Sequence, residues 1–309
     1  EEIVASTSLY GGSIDVFHDF EAFGIQTKFV DIADDKAVEA AITDKTRVIF
    51  AETIGNPKLD VVDIAHLAEL AHAHGLPLVM DNTVATAYLV RPIELGADVV
   101  VNSTSKYING NSNAISGVIT DSGKFKWDKT KYPGMAEYAK FGPFAYTAKL
   151  RNGLFRNTGA CMAPQTAFYN LIGMETLGLR MERACANAKK LAGFLDSYED
   201  IMVNYPGIPS SPWHEVADRI LERGYGAILT IRVGSKERAF QMMNRLKIPK
   251  IVSNIGDTKT LIIHPESTLN AHSTEQEKEA AGVFDDLIRI SVGIEDVEDL
   301  IEDFRSAME

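Results

Sequence analysis

The most constraining feature of the sequence is an alternation, through its first half, of short apolar runs with stretches of helical periodicity. A strand is already under way at residues 3–6, and further strands are expected at 28–32, 47–51, 78–81, 98–102 and 117–120. Between the third and fourth of these six, Ile64, Leu67, Ala68 and Ala71 recur at spacings of three and four, and Gly75-Leu76-Pro77 closes the pattern. That is a helix with one apolar face and a definite stop. Val48-Ile49-Phe50 and Val99-Val100-Val101 are apolar on both faces, as strands are when helices cover both sides of a parallel sheet. Strand, helix, strand repetition then implies an α/β, doubly wound sheet.

The second half reads differently. Residues 121–160 mix Lys, Trp, Tyr, Gly and Pro and are expected to form a long loop with short helices, a length that is often functional. Residues 163–195 are expected to form one long helix, polar and charged over 180–190, leading into a second unit. Strands at 227–233, 260–263 and 287–292, with helices at 235–246 and from Glu295 onward, make that unit α+β and smaller. The expected division is a large domain over residues 1–178 and a small domain over 179–309.

A formal net charge of −12 disfavours nucleic acid and anionic membranes as partners. No apolar run approaches the roughly 18 residues that span a bilayer. Glu1-Glu2-Ile3-Val4-Ala5 lacks the basic and apolar regions of a signal peptide. Two cysteines, Cys161 and Cys185, fit reduced thiols and a cytoplasmic location. The histidines show no metal-ligand spacing, and no metal is expected.

Ligands of an open α/β sheet bind beyond the carboxyl ends of its strands. Those ends carry Glu52 to Pro57, then Asp81-Asn82-Thr83, then Ser103-Thr104-Ser105-Lys106-Tyr107. An acid and a lysine at two strand tips suit pyridoxal 5'-phosphate (PLP). The Lys106 amine would form an imine with the aldehyde, and Asp81 would keep the pyridine nitrogen protonated. Ser103 and Ser105, two apart on an extended chain, share one side and would bond the phosphate. Taken singly, Asp81 reads as a turn cap and Lys106 as a solvated lysine. Their order and placement together favour the cofactor.

These segments resemble the Cys/Met-metabolism group of fold-type I PLP-dependent enzymes: cystathionine synthases and lyases, methionine γ-lyase and O-acylhomoserine sulfhydrylases. The resemblance also rests on Leu9-Tyr10-Gly11-Gly12, Gly117-Val118-Ile119, residues 175–182, His264-Pro265-Glu266-Ser267 and Arg289 to Asp296, in the family's order over nearly the whole chain. It implies a fold-type I transferase with a mainly parallel sheet domain and a smaller C-terminal domain. It implies that Lys106 is the Schiff-base lysine and proton carrier, and that Tyr10 stacks on the ring. Asn56 would bond the ring hydroxyl and the substrate carboxylate, Arg289 would clamp that carboxylate in a fork, and Ser253 would lie at the substrate. It also implies a homo-oligomer, a tetramer built from dimers. Plainer readings stay open: Tyr10 at an interface, Asn56-Pro57 as a turn, Arg289 paired to a structural acid. His264 and Glu52 read as support.

Within the family, Ser253-Asn254-Ile255-Gly256-Asp257, residues 179–183 and the long insert near 121–160 resemble the O-acetylhomoserine sulfhydrylase branch. The reaction expected is γ-replacement on O-acetyl-L-homoserine by sulfide or a small thiol, giving L-homocysteine or methionine and acetate. A cystathionine γ-synthase or γ-lyase, a methionine γ-lyase, or a non-catalytic PLP-fold protein are the alternatives. Methionine γ-lyases typically carry Cys two residues after the stacking tyrosine; here Gly12 stands there. The family's Gly-His-Gly-like run after the lysine is replaced by Asn109-Gly110-Asn111-Ser112-Asn113, and the usual Thr-His-Ser gives way to Leu269-Asn270-Ala271-His272-Ser273. Both segments are expected to wall the substrate pocket. In relatives about a quarter of the chain precedes the residue numbered 1 here and supplies a phosphate-binding helix start. The expectation is that residues 1–309 alone hold PLP weakly.

Overall fold

The computed structural model describes residues 1–309. The first sheet has strands β1 (Glu2–Ser6), β2 (Gln26–Val30), β3 (Thr46–Glu52), β4 (Leu78–Asp81), β5 (Val99–Ser103) and β6 (Gly117–Asp121), in the order β2-β1-β3-β4-β5-β6. The first five are parallel, and β6 runs antiparallel to β5. Parallel pairing puts the carboxyl ends of β3, β4 and β5 at one rim, with Glu52 in register with Asp81 and Asp81 with Val101.

The helix Ile64–Ala73 takes its N-cap from Asp63, whose carboxylate accepts the His66 N–H. Its Ile64, Leu67, Ala68 and Ala71 are buried against the sheet. Coverage is less complete than the apolar runs suggest. Val48, Phe50 and Val101 are only half-buried, and Val118 and Ile119 on β6 are exposed.

The second sheet has β7 (Met202–Asn204), β8 (Ile228–Arg232), β9 (Lys250–Ile251), β10 (Leu261–Ile263) and β11 (Leu287–Ser291), in the order β7-β8-β11-β10-β9. It is antiparallel except for β9 and β10. The closing helix Val297–Met308, capped by Asp296, buries Val297, Leu300, Phe304 and Ala307 on it. Burial of Phe304 alone is worth about 2–3 kcal/mol.

The helix expected over 163–195 is two helices, Pro164–Glu175 and Leu177–Leu195, broken at Thr176 with φ −112° and ψ 6°. The second joins two cores. Met181, Ala184 and Cys185 lie in the core of the first sheet; Ala188, Leu191 and Leu195 lie in that of the second. Its polar stretch is not simply a solvated face, because Arg180 is buried. Arg180 Nη1 donates to the Tyr107 carbonyl at 2.6 Å, Nη2 to the Gly173 carbonyl at 2.7 Å, and Nε to Thr176 Oγ1 at 3.1 Å. The guanidinium thus bonds the Gly173 carbonyl and the Thr176 hydroxyl at the helix break and braces the residue after Lys106.

Lysine cannot reproduce that planar set of donors. Arg180→Lys is expected to lower stability by about 2 kcal/mol or more, through carbonyls left unbonded in the interior. Thermal unfolding checks this; an unchanged midpoint would mean that the fork contributes nothing.

Candidate active site

The carboxyl rim of the first sheet and one loop of the second enclose a cleft lined by Tyr10, Glu52, Asn56, Asp81, Thr83, Val84, Ser103, Lys106, Ser253, Ile255 and Arg289. Seven of the eight residues singled out from the sequence are among these; only Ser105 is not. Its hydroxyl donates to the Ser116 carbonyl at 3.2 Å and accepts the Ser116 N–H at 2.9 Å. In this conformation it braces the turn into β6. Ser103 lies at the end of β5, and its N–H donates to Thr83 Oγ1 at 2.8 Å.

Two acids meet where β3 and β4 end. Asp81 Oδ1 accepts the Thr83 N–H at 2.8 Å. Burial pushes the Asp81 carboxyl above the usual range, and no cation offsets this. Glu52, its partner in register, is buried and held well above the ordinary carboxyl range, first by burial and then by the charge of Asp81. Glu52 accepts the Tyr10 N–H at 2.7 Å. Tyr10 stands at the N-cap of the helix Gly11–Asp19 and is 44% exposed, so one ring face is open. A Cβ at Gly12 would lie 2.6 Å from Tyr10 Cε1, so the ring rests against a position without a side chain.

Arg289 is in the middle of β11 and only 2% exposed. Its partners are neutral: Nη1 donates to Asn56 Oδ1 at 3.1 Å, and Nη2 to the Ser253 carbonyl at 3.2 Å and the Asn254 carbonyl at 3.4 Å. Nε is buried without a partner, and burial lowers the guanidinium pKa to about 10. The structural-acid reading of Arg289 therefore fails, since no carboxylate pairs with it. A buried guanidinium with a spare N–H suits an anion entering the cleft.

Lys106 is half-buried, and burial first, then Arg289, hold its amine below the usual lysine range. Its Nζ donates to Asn254 Oδ1. Gly256, at φ +75°, presses on the same place: a Cβ there would stand 2.6 Å from the Tyr107 nitrogen. Asn254 and Arg180 are the supporting residues that residue type alone does not reveal. Asn254 enters only as part of the segment 253–257 that resembles the sulfhydrylase branch, and Arg180 lies in a charged run. A signal for Arg180 was present, since it keeps helical spacing with the buried Ala184, Asn187 and Leu191.

His264 is buried, bonded to Ser267 Oγ and the Asp285 carbonyl, and does not line the cleft. Residues 109–113 and 269–273 do not line it either. The first meets Asn254 through Ser112, and the second reaches Gly11 through the Leu269 carbonyl.

These groups fit PLP. An uncompensated buried acid, an amine of lowered basicity, an open tyrosine face and an unpaired guanidinium match a ring cation, an aldehyde, a ring and a carboxylate respectively. Asp81 and Ser103 also border a second, wider opening lined by Asn102, Gly117, Thr147 and Arg151.

The whole chain, residues 1–309, matches the family model described as Cys/Met metabolism PLP-dependent enzyme. It is 42% identical to the sulfhydrylase FUB7 of Gibberella moniliformis, over all of this chain and 75% of that protein. It is 40% identical to the O-acetyl-L-homoserine sulfhydrylase of Leptospira meyeri, again over all of this chain and 75% of that one. A Campylobacter jejuni structure, named as an O-acetylhomoserine (thiol)-lyase and holding a pyridoxyl-lysine monophosphate, superposes with a TM-score of 0.95 at 31% identity, covering 100% of this chain and 77% of that one. With the family model matched from end to end and the fold shared, the chain belongs to the Cys/Met metabolism PLP-dependent enzymes.

Proposed function

We propose that the protein catalyses γ-replacement on O-acetyl-L-homoserine, with sulfide or a small thiol as nucleophile. O-acetyl-L-homoserine and hydrosulfide give L-homocysteine and acetate: the Cγ–O bond breaks and a Cγ–S bond forms. The observation that carries the reading is Arg289, buried, without a carboxylate partner and with Nε unbonded, at the floor of a cleft that also holds Lys106 and Asp81. The similarity to sulfhydrylases over the whole chain supports the choice of reaction.

When bound, PLP supplies an aldehyde that bonds an amine and a ring that stores the electron pair left by a departing proton. The protein's own groups do the rest. Asp81 pairs with the ring nitrogen, and Thr83 fixes its carboxylate. Arg289 and Asn56 hold the α-carboxylate, which sets Cα before Lys106. Lys106 Nζ takes the Cα proton; burial and the Arg289 charge hold the amine below the usual lysine range, which favours the neutral form that does this. Tyr10, with its N–H fixed on Glu52, presents its ring to the cofactor. Ser103 and Ser105 reach the phosphate once Ser105 leaves the Ser116 carbonyl. Ser253 bounds the substrate side.

The same reading divides the chain at 178/179 and makes the protein a homotetramer assembled as a dimer of dimers. Exposed Phe144, Leu154, Phe168, Leu171 and Leu179 suit subunit contact. It places the protein in the cytoplasm, in keeping with two unbridged cysteines; no helix is long and apolar enough to cross a membrane.

Lys106→Ala is expected to abolish both the visible absorbance band with PLP and turnover; a variant that keeps both would end the assignment. Arg289→Lys, which keeps the charge but not the fork, is expected to raise KM for O-acetyl-L-homoserine about a hundredfold with the band intact. Steady-state kinetics would count against the clamp if KM were unmoved. Gly12→Ala pushes the Tyr10 ring. It is expected to cut kcat between about tenfold and a hundredfold, the scale of a misplacement near 1 Å. Full activity in that variant would show that the ring position is slack.

A further inference from the structure

Beyond the cleft, one set of polar side chains is arranged in a single direction. Lys106 Nζ donates to Asn254 Oδ1, Asn254 Nδ2 donates to Ser112 Oγ at 2.8 Å, and Ser112 Oγ donates to Asp257 Oδ2 at 2.5 Å. Every donor points away from the lysine and toward a buried carboxylate. The other oxygen of Asp257 accepts the Lys259 N–H at 3.0 Å, Lys259 Nζ at 3.1 Å and Thr258 Oγ1 at 3.2 Å. Burial pushes Asp257 up, but the hydrogen bonds from Ser112 and Lys259 outweigh it and hold the group ionised.

Ser112 occupies this place against its own backbone preference. Its φ is +54°, in the left-handed region, where a residue with a Cβ costs roughly 1–2 kcal/mol and glycine almost nothing. The segment is also where the sequence leaves the glycine-rich run usual for the family. A strained serine whose hydroxyl bridges an amide and a carboxylate, two hydrogen bonds from a reactive amine, is a feature with a physical cost and a definite contact.

We propose that Asn254, Ser112 and Asp257 are positioning residues that hold the amine of Lys106 whenever it is not bonded to the cofactor and set how readily it releases its proton. The inference rests on Lys106 being the reactive lysine. The chain of donors favours the protonated amine, because each bond polarises the next toward Asp257. Arg289 opposes it, and Asp81, Glu52 and Tyr10 are the other titratable groups facing the amine in the cleft. The amine's proton affinity is then a balance between burial and Arg289 on one side and Asp257, through two neutral side chains, on the other. The bonds also fix Nζ laterally, toward the loop of the second sheet, so it returns to one place in each cycle.

The test is the acidity of Lys106 itself, read by competitive acetylation with dilute acetic anhydride across pH on cofactor-free protein, with the Lys106 peptide quantified by mass spectrometry. Ser112→Gly and Asp257→Asn each remove support for the charged amine. Both are expected to lower its titration midpoint by about half a unit, which is about threefold faster acetylation below the midpoint. Asn254→Asp puts a carboxylate against the amine and is expected to raise the midpoint. Opposite signs from neighbouring changes are something a purely structural role would not produce. Ser112→Gly relieves strain, so it folds; Ser112→Ala, lacking only the hydroxyl, gives the same reading if the glycine loosens the loop. Midpoints unmoved in folded Ser112→Gly and Ser112→Ala, or all variants moving one way, would overturn the proposal. Borohydride reduction after adding PLP tests the parent reading separately: a label elsewhere than Lys106 would remove the reactive lysine but not the measured acidity.

Discussion

A guanidinium sealed inside the protein without a carboxylate governs the arrangement around it. Moving a charge out of water is costly unless it is paired or well hydrogen-bonded, and Arg289 has only neutral oxygens as partners and an Nε with none. Those oxygens come from different parts of the molecule. Asn56 follows β3 of the first sheet; the Ser253 and Asn254 carbonyls lie between β9 and β10 of the second. To keep the cation solvated by protein, the two sheets must present their loops to each other. The cleft is the space that this demand leaves open. Lys106 feels the same charge, which is why an amine on the rim of the first sheet answers to a residue of the second.

Electrostatics on the opposite wall follow from strand register. Parallel pairing sets Glu52 beside Asp81, and burial of both makes simultaneous ionisation unfavourable. Glu52 is pushed up by burial and by Asp81 and uses an oxygen to hold the Tyr10 backbone, leaving Asp81 as the acid that faces a cation in the cleft. One geometric fact thus divides two like residues into a scaffold and a partner.

Much of this was legible from the residues. Apolar runs and one-sided helical spacing located the six strands of the first sheet and the helix Ile64–Ala73, because periodicity reports burial directly. Asp81 and Lys106 were legible because strand tips are where such sheets bind ligands, whereas Tyr10 was legible only through the family resemblance. Less legible was whatever depends on contacts distant in sequence. The break at Thr176 is stabilised by Arg180 reaching back to Gly173 and across to Tyr107, and no local propensity announces it. Ser105 is turned aside by Ser116, a partner that only the fold supplies. Short strands such as β7 and β9 are set by pairing rather than by pattern.

The loop 253–257 has a consequence for how such a protein changes over generations. It contributes carbonyls, an amide and a glycine to the immediate surroundings of Lys106, yet it belongs to neither the parallel sheet nor the rim that carries Asp81. Substitutions in it act on Lys106 and Arg289 through those contacts, while Asp81 and its partner Thr83 on the first sheet stay as they are. Because Ile255, Gly256 and Asp257 in this loop are themselves buried, such changes are felt in the interior as well as at the amine.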